Sequence, residues 1–322
     1  MQAMSETRSP PLAPPTARPT AHRTRQRPCG PQPRPRLLIV GCGDVGLRIL
    51  PLVAGAWSVR VLTSSPGRVE ALRAAGALPL IGNLDAPATL SRLAGLCDAV
   101  LHLAPPPASG ARDPRTRALV QALARRGVVR RFDYVSTTGV YGDAAGARID
   151  ETWPLAAHTE RAKRRVDAER VLRAWARAQG VGLAILRAPG IYASDRDGGH
   201  PRERLRRGTP VLVRADDVYS NHIHADDLAR ACVAALYRAR PQRIFNACDD
   251  SEMLVGDYYD LAADLYGLPR PPRISRSEAR LQLGAQQMSF LSESRRIDNR
   301  RLREELRFEL RYPTVREGLL RG

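Results

Sequence analysis

Apolar residues in this chain come in short runs separated by turn residues. RLLIVGCGDVGLRILPLVAGAW, from Arg36 to Trp57, reads as a strand, a glycine turn and a helix, with Pro51 a weak point inside the helical stretch. SVRVLTSS is a second strand, and PGRVEALRAAG a helix with Pro66 near its start and Gly76 as its stop. ALPLIGNLD gives a third strand with its exit loop, APATLSRLAGL a helix, and DAVLHLAPPP a strand ended by prolines. DPRTRALVQALARRG is a helix capped by Asp113, and VVRRFDYVSTTG the next strand. A long helix is predicted over 158–179, then a strand in VGLAILRAPGIY, a helix in HIHADDLARACVAALYRA and a strand in RIFNACDD. Beyond Glu252 the pattern is mostly helical.

Strands alternating with helices, and strands apolar without strict alternation, predict an α/β fold of Rossmann type. Such a fold is a doubly wound parallel sheet, here with a small C-terminal substrate lobe. The expected organisation is a Pro/Arg-rich disordered tail over 1–35, a nucleotide-binding domain over 36–189 and a mainly helical substrate lobe over 190–322. Segments around 215–250 are expected to return to the main domain.

The net charge of +18 modifies this picture little. All basic residues except Lys163 are arginine, and they are spread along the chain. No basic stripe interleaved with aromatics is visible, so no specific nucleic acid is expected. The charge would still steer anionic small molecules inward. Five scattered cysteines make neither a CxxC pair nor a disulfide framework, which fits a reducing, cytoplasmic setting. No apolar run is long enough to span a membrane.

Gly41, Gly43 and Gly46 form GxGxxG between a strand and a helix, the context in which that motif cradles a pyrophosphate. The first glycine permits the turn, the second lets backbone approach phosphate, and the third lets helix pack on strand. The second strand ends in Thr63, Ser64 and Ser65, with Arg68 behind and no acid between Asp44 and Glu70. Hydroxyls plus a guanidinium suit a 2′-phosphate, so NADP is expected over NAD. Asp44 and Val45 in the turn, Asn83 and Leu84 after the third strand, Leu103 and Ala104 after the fourth, and Pro189 complete the expected cofactor contacts. Asp85 reads either as an adenine contact or as a cap of the helix beginning near Ala86.

GCGDVG, YVSTTGVYGD, LRAPGIY and NHIHADDLA together resemble the extended short-chain dehydrogenase/reductase superfamily, of NAD-dependent epimerase/dehydratase type. The resemblance covers roughly residues 36 to 250. It implies an NAD(P)-dependent oxidoreductase or epimerase acting on a small, anionic carbonyl or sugar-like substrate, and pairing as a homodimer. It also implies that the Thr137 hydroxyl holds the reacting oxygen while a tyrosine, helped by a lysine four residues later, exchanges the proton. Such a pair is chemically sensible, because a phenol is a weak acid unless a neighbouring cation stabilises its anion.

This chain departs from the family there, since AAHTERAKRRVDAERVLRAW holds no tyrosine. One placement sets Thr159 for the tyrosine, Lys163 for the lysine and Asp167 for the later acid. The preferred one sets Arg161, Arg165 and Glu169. Tyr141 and Tyr192 remain as displaced phenols. The alternative is a non-catalytic NAD(P)-binding sensor or interaction protein. Arg187, Tyr192, Asn221 and His224 are the expected substrate contacts, and Asp226 and Asp227 cap a helix or steady the loop. His222 and His224 alternate as in a strand, so no metal site is expected. Ser292, Ser294, Arg295 and Arg296 either grip an acidic substrate or tie down the chain terminus.

Overall fold

Four consecutive apolar residues, Leu37 to Val40, are all buried, as a strand covered on both faces requires. They belong to β1 (Arg36–Val40) in a computed structural model that describes residues 33–321; the N-terminal tail expected over 1–35 lies almost wholly outside the described residues. The other strands of its sheet are β2 (Ser58–Thr63), β3 (Leu78–Ile81), β4 (Ala99–His102), β5 (Arg131–Thr137), Gly182–Ala188 and Arg243–Asn246.

All seven strands are parallel, in the order Arg243–Asn246, Gly182–Ala188, β5, β4, β1, β2, β3. Strand order reverses beside β1, between β2 on one side and β4 on the other. That is the switch point where an open α/β sheet leaves a crevice at the carboxyl ends of its strands. Leu37 and Ile39 pack on one face with α1 (Asp44–Val53) and α6 (Ala225–Arg238). Leu38 and Val40 pack on the other with α3 (Pro114–Ala124) and α4 (Glu160–Gln179).

Local chemistry sets the boundaries. Pro51 lies inside α1 without breaking it, because near the helix end it removes a single hydrogen bond. α2 is short (Val69–Ala74) and follows a 3-10 turn at Pro66–Arg68. The α-helix expected in APATLSRLAGL is instead a 3-10 segment, Pro87–Leu93. There the Thr89 hydroxyl donates to the carbonyls of Ala86 and Asn83 and accepts from Asn83 N, competing with α-helical bonding. Asp113 caps α3 by accepting from Thr116 N. His222–His224 is a strand, parallel to Gly190–Tyr192, and α6 starts only at Ala225, because the His224 ring accepts from Asp226 N.

α5 (Arg202–Arg206), α7 (Val255–Tyr266) and the helix Val315–Arg321 share a small core of Tyr192, Leu205, Tyr258, Ala262, Val315 and Leu319. The helices Arg276–Gln282 and Ala285–Phe290 sit beside a second one built on Leu212, Ala279 and Leu291. Leu302, Leu306 and Phe308 join the core on the Leu37 face of the main sheet. Among the described residues, no helix is long and apolar enough to cross a membrane.

Candidate functional site

A cavity of about 1010 Å³ runs along the carboxyl ends of β1, β4, β5 and Gly182–Ala188 and under the lobe helices. At one end lie Gly41, Gly43, Asp44, Val45 and Gly46, with Leu103 and Pro189 beside them. The glycine requirements are visible in the geometry. Gly41 has φ +85°, and a Cβ there would sit 2.4 Å from Ala104 N. Gly43 caps α1 and faces open space, so its missing side chain leaves room at a helix N-terminus. A Cβ on Gly46 would come within 3.0 Å of Cys42 Sγ. These residues fit a dinucleotide pyrophosphate. Asp44, in the first turn of α1, is neutralised there by Arg48 and Arg196.

The remaining expected cofactor contacts are dispersed. Ala104 is buried beneath Gly41. Thr63 Oγ1 is used in a local turn with Ser65, whereas Ser64 is exposed. Arg68 makes no side-chain hydrogen bond or ion pair among the described residues, and its charge acts on the Cys42 thiol, opposing the burial that pushes that thiol up to about 11. Asn83 caps its own turn by accepting from Asp85 N, and Leu84 packs against the core. Asp85 is paired with Arg115, so it neither caps a helix nor stands free for adenine.

The chemical end of the cavity is lined by Ser136, Thr137, Gly139, Arg161, Arg164 and Arg165. Thr137 Oγ1 accepts from Gly139 N at 3.3 Å, which leaves its proton available to a ligand. Thr159 Oγ1 is spent as the N-cap of α4, accepting from Ala162 N, and Lys163 turns outward to pair with Glu160 at 2.8 Å. Lys163 therefore does not line the cavity, while Arg161 and Arg165 do. Arg165 donates to Tyr134 Oη and to the Val135 carbonyl, each at 2.9 Å. Burial pushes the Tyr134 phenol up to about 12 despite that guanidinium. Burial also lowers the pKa of Arg161 below the usual arginine value.

Neither displaced phenol reaches the reaction end. Tyr141 is fully buried, donates to Asn246 Oδ1 at 2.6 Å, and is pushed up to about 12 by desolvation. It does not line the cavity. Tyr192 does line the cavity, but its hydroxyl points at the Thr314 carbonyl, where a Cβ on Gly318 would stand 2.1 Å from it. Arg187 lies outside the cavity lining and holds Glu169 in a buried two-pronged ion pair, at 3.1 and 2.7 Å. Its guanidinium also covers the Tyr141 ring.

His224 is likewise a buried helix cap packed on Tyr312, outside the cavity. Asp227, fully buried, receives the backbone N–H groups of Arg311 and Tyr312 and steadies that segment. Asn221 lines the cavity and is fixed by Arg295 O and Ile297 N. Ser294 and Arg296 tie down their loop through Asp143, Tyr219 N and Gly146 O, and Ser292 bonds locally to Ser289 O.

Sequence reasoning missed Arg164, Arg196, Arg204, Tyr219, Tyr258 and Phe290, which also line the cavity. Arg164 had a signal, since it lies three residues from Arg161 on one helical face. The lobe residues had none, because separate segments bring them together.

A sequence profile for NAD(P)H-binding proteins matches residues 41–239. A conserved protein of unknown function from Silicibacter pomeroyi DSS is 32% identical, covers 89% of this chain and 97% of its own, and superimposes with a TM-score of 0.74. UDP-glucose 4-epimerase of Thermotoga maritima, solved with UDP-glucose, shares the fold at 20% identity, with 88% and 96% of the two chains covered and a TM-score of 0.71. A 4-hydroxy-2-methyl-3-oxo-4-farnesyl-3,4-dihydroquinoline-1-oxide ketoreductase from Stigmatella aurantiaca is 34% identical over 124 residues, 36% of this chain. The match spans 37% of that curated relative's length. With the glycine turn, the parallel seven-stranded sheet and the profile match in agreement, the chain belongs to the NAD(P)H-binding family and shares its fold with the epimerase.

Proposed function

We propose that this protein is an NAD(P)H-dependent oxidoreductase that reduces a carbonyl in a small anionic substrate, without a catalytic tyrosine. The observation that carries the reading is one continuous cavity joining the glycine turn to Thr137 and to guanidinium groups. A bound nicotinamide would supply the hydride, leaving as NAD(P)+, and the carbonyl carbon would receive it. Thr137 donates a hydrogen bond to the carbonyl oxygen. The combined positive field of Arg161, Arg164 and Arg165 stabilises the charge that develops there, in a partly desolvated site. A guanidinium is a poor proton donor, so the proton on oxygen comes from cavity water by way of the Thr137 hydroxyl. Arg165, held by Tyr134 and Val135, keeps the floor beside Thr137 rigid.

NADP is the preferred cofactor in this reading. Support comes from Arg68, which has no protein acceptor among the described residues, and from the absence of an acid at the end of β2. A second reading, a nucleotide-binding sensor without turnover, draws support from Tyr141 and Tyr192 both pointing their hydroxyls away from the reaction end.

The first test is titration with NADPH and NADH, followed by nicotinamide fluorescence, with Gly43→Asp as control. Binding that the control loses supports the reading. An NADPH preference that vanishes in Arg68→Ala supports the cofactor assignment. Failure of both nucleotides to bind sinks the enzyme and the sensor together. NADPH oxidation with a carbonyl substrate that Thr137→Ala abolishes, at unchanged nucleotide affinity, separates enzyme from sensor.

A further inference from the structure

Arg161, Arg164 and Arg165 fall on one face of the first turns of α4, and all three line the cavity with Arg295 and the acid Glu293. Three of these arginines are already engaged. Arg164 donates to Gly110 O at 2.6 Å, and Arg165 to Tyr134 and Val135. Arg295 donates to Gly142 O at 2.7 Å and Glu293 at 2.8 Å. Arg161 differs. Among the described residues it makes no hydrogen bond and no ion pair, and its guanidinium lies 4.2 Å over the ring of Phe290.

Neither half of that pair is explained by folding. A half-buried guanidinium without an acceptor is unfavourable. Phe290 is 54% exposed although it is one of only four phenylalanines in the chain. A guanidinium seated over a ring face spends no N–H on a hydrogen bond there, which leaves its fork free for two carboxylate oxygens.

We propose that Arg161, positioned by Phe290, anchors a substrate carboxylate that lies a few bonds from the reacting carbonyl, so that the substrate class is an oxo acid. This rests on the nucleotide-dependent reading above and specifies its substrate. The spacing follows from Gly139. A Cβ built there lies 3.7 Å from Thr137 Oγ1 and 3.8 Å from Ala162 Cβ, so the carbonyl-holding hydroxyl and the turn carrying Arg161 face each other across one small residue. The positive end of α4 adds to the attraction for an anion. A carboxylate is favoured over phosphate because Arg161 alone has its planar fork free, Arg164 and Arg165 being spent on Gly110, Tyr134 and Val135, and because Glu293 beside it repels a second negative charge.

The test uses oxamate, a carboxylate beside a carbonyl, titrated into the full chain loaded with NADPH, with inorganic phosphate as the comparison anion. Oxamate is expected to bind, and Arg161→Gln to weaken it by about 10-fold to 100-fold while NADPH affinity holds. Arg161→Lys recovers part of that loss. Phe290→Leu weakens oxamate by about 2-fold to 5-fold, and Phe290→Tyr, which keeps the ring, restores it. Folding of each variant is checked by its urea midpoint. The proposal is overturned if NADPH binds but oxamate does not, if phosphate binds in its place, or if Arg161→Gln leaves oxamate affinity unchanged. Loss of NADPH binding in the unmodified chain would instead sink the nucleotide reading on which it stands.

Discussion

Replacing Arg187 by methionine separates a structural role from a substrate-binding one. Arg187 and Glu169 are almost completely buried, and Arg187 is joined to Glu169 by two hydrogen bonds. Removing one partner of such a pair leaves an uncompensated charge and costs about 3–5 kcal/mol. Here Arg173 lies 3.7 Å from Glu169 and is partly exposed, so some compensation survives. The expected loss for Arg187→Met is therefore at the low end, about 3 kcal/mol. Replacing both residues by apolar ones, Arg187→Met with Glu169→Leu, should return most of that loss, because the buried charge leaves with its partner. The measurement is a double-mutant cycle from urea unfolding, with NADPH affinity of each folded variant determined alongside. A loss of ligand affinity in Arg187→Met with stability intact would refute the reasoning and return Arg187 to the binding site. Additive losses in the double variant would refute the pairing argument.

Other outcomes follow from the same geometry. Gly41→Ala places a side chain at φ +85° and against Ala104; it should cost about 2 kcal/mol or more and abolish nucleotide binding, whereas Gly43→Ala, facing open space, should keep its urea midpoint and only weaken binding. Tyr141→Phe leaves Asn246 Oδ1 without its donor and should lower stability by about 1–3 kcal/mol at unchanged NADPH affinity, as measured by unfolding and fluorescence titration. Burial lowers the imidazoles of His102 and His222 from 6.5 to about 3 and about 4. The unfolded chain then binds more protons below pH 6.5, so stability should fall as pH drops through that window, by about 1.4 kcal/mol per unit for each histidine; a melt series in which His102→Gln keeps the full slope would contradict this.

The sheet was legible because each of its strands is an apolar run closed by turn residues, and a doubly covered strand such as Leu37–Val40 needs no partner to declare itself. The glycine turn was legible for the same reason: the requirement at Gly41 is set by its own backbone and by Ala104 at the next strand's exit. The Arg187–Glu169 pair was not. The two residues are eighteen apart in sequence and meet only when the strand Gly182–Ala188 packs on α4. Nor could the sequence settle which residue stands at the tyrosine position. Thr159 and Arg161 both fit the local pattern, and the choice depends on which face of α4 meets β5 and on where the helix begins. Thr159 is its N-cap, and Arg161 falls within the first turn facing the cavity.

That helix boundary has a chemical consequence. An N-cap hydroxyl is committed to a backbone N–H and cannot reorganise toward a substrate without loosening the helix end, at a cost of about 1 kcal/mol. The same helix begins beneath the cavity, so its unpaired N–H groups and the side chains of Arg161, Arg164 and Arg165 all add positive potential at one place. The phenol in that field, Tyr134, is pushed up to about 12 by burial and serves only to receive Arg165, so the cations are held as fixed donors by Gly110, Tyr134, Val135 and Phe290. The wall that carries Thr137 thus gathers fixed positive charge, and in the reaction proposed above proton delivery would rest on the Thr137 hydroxyl and water.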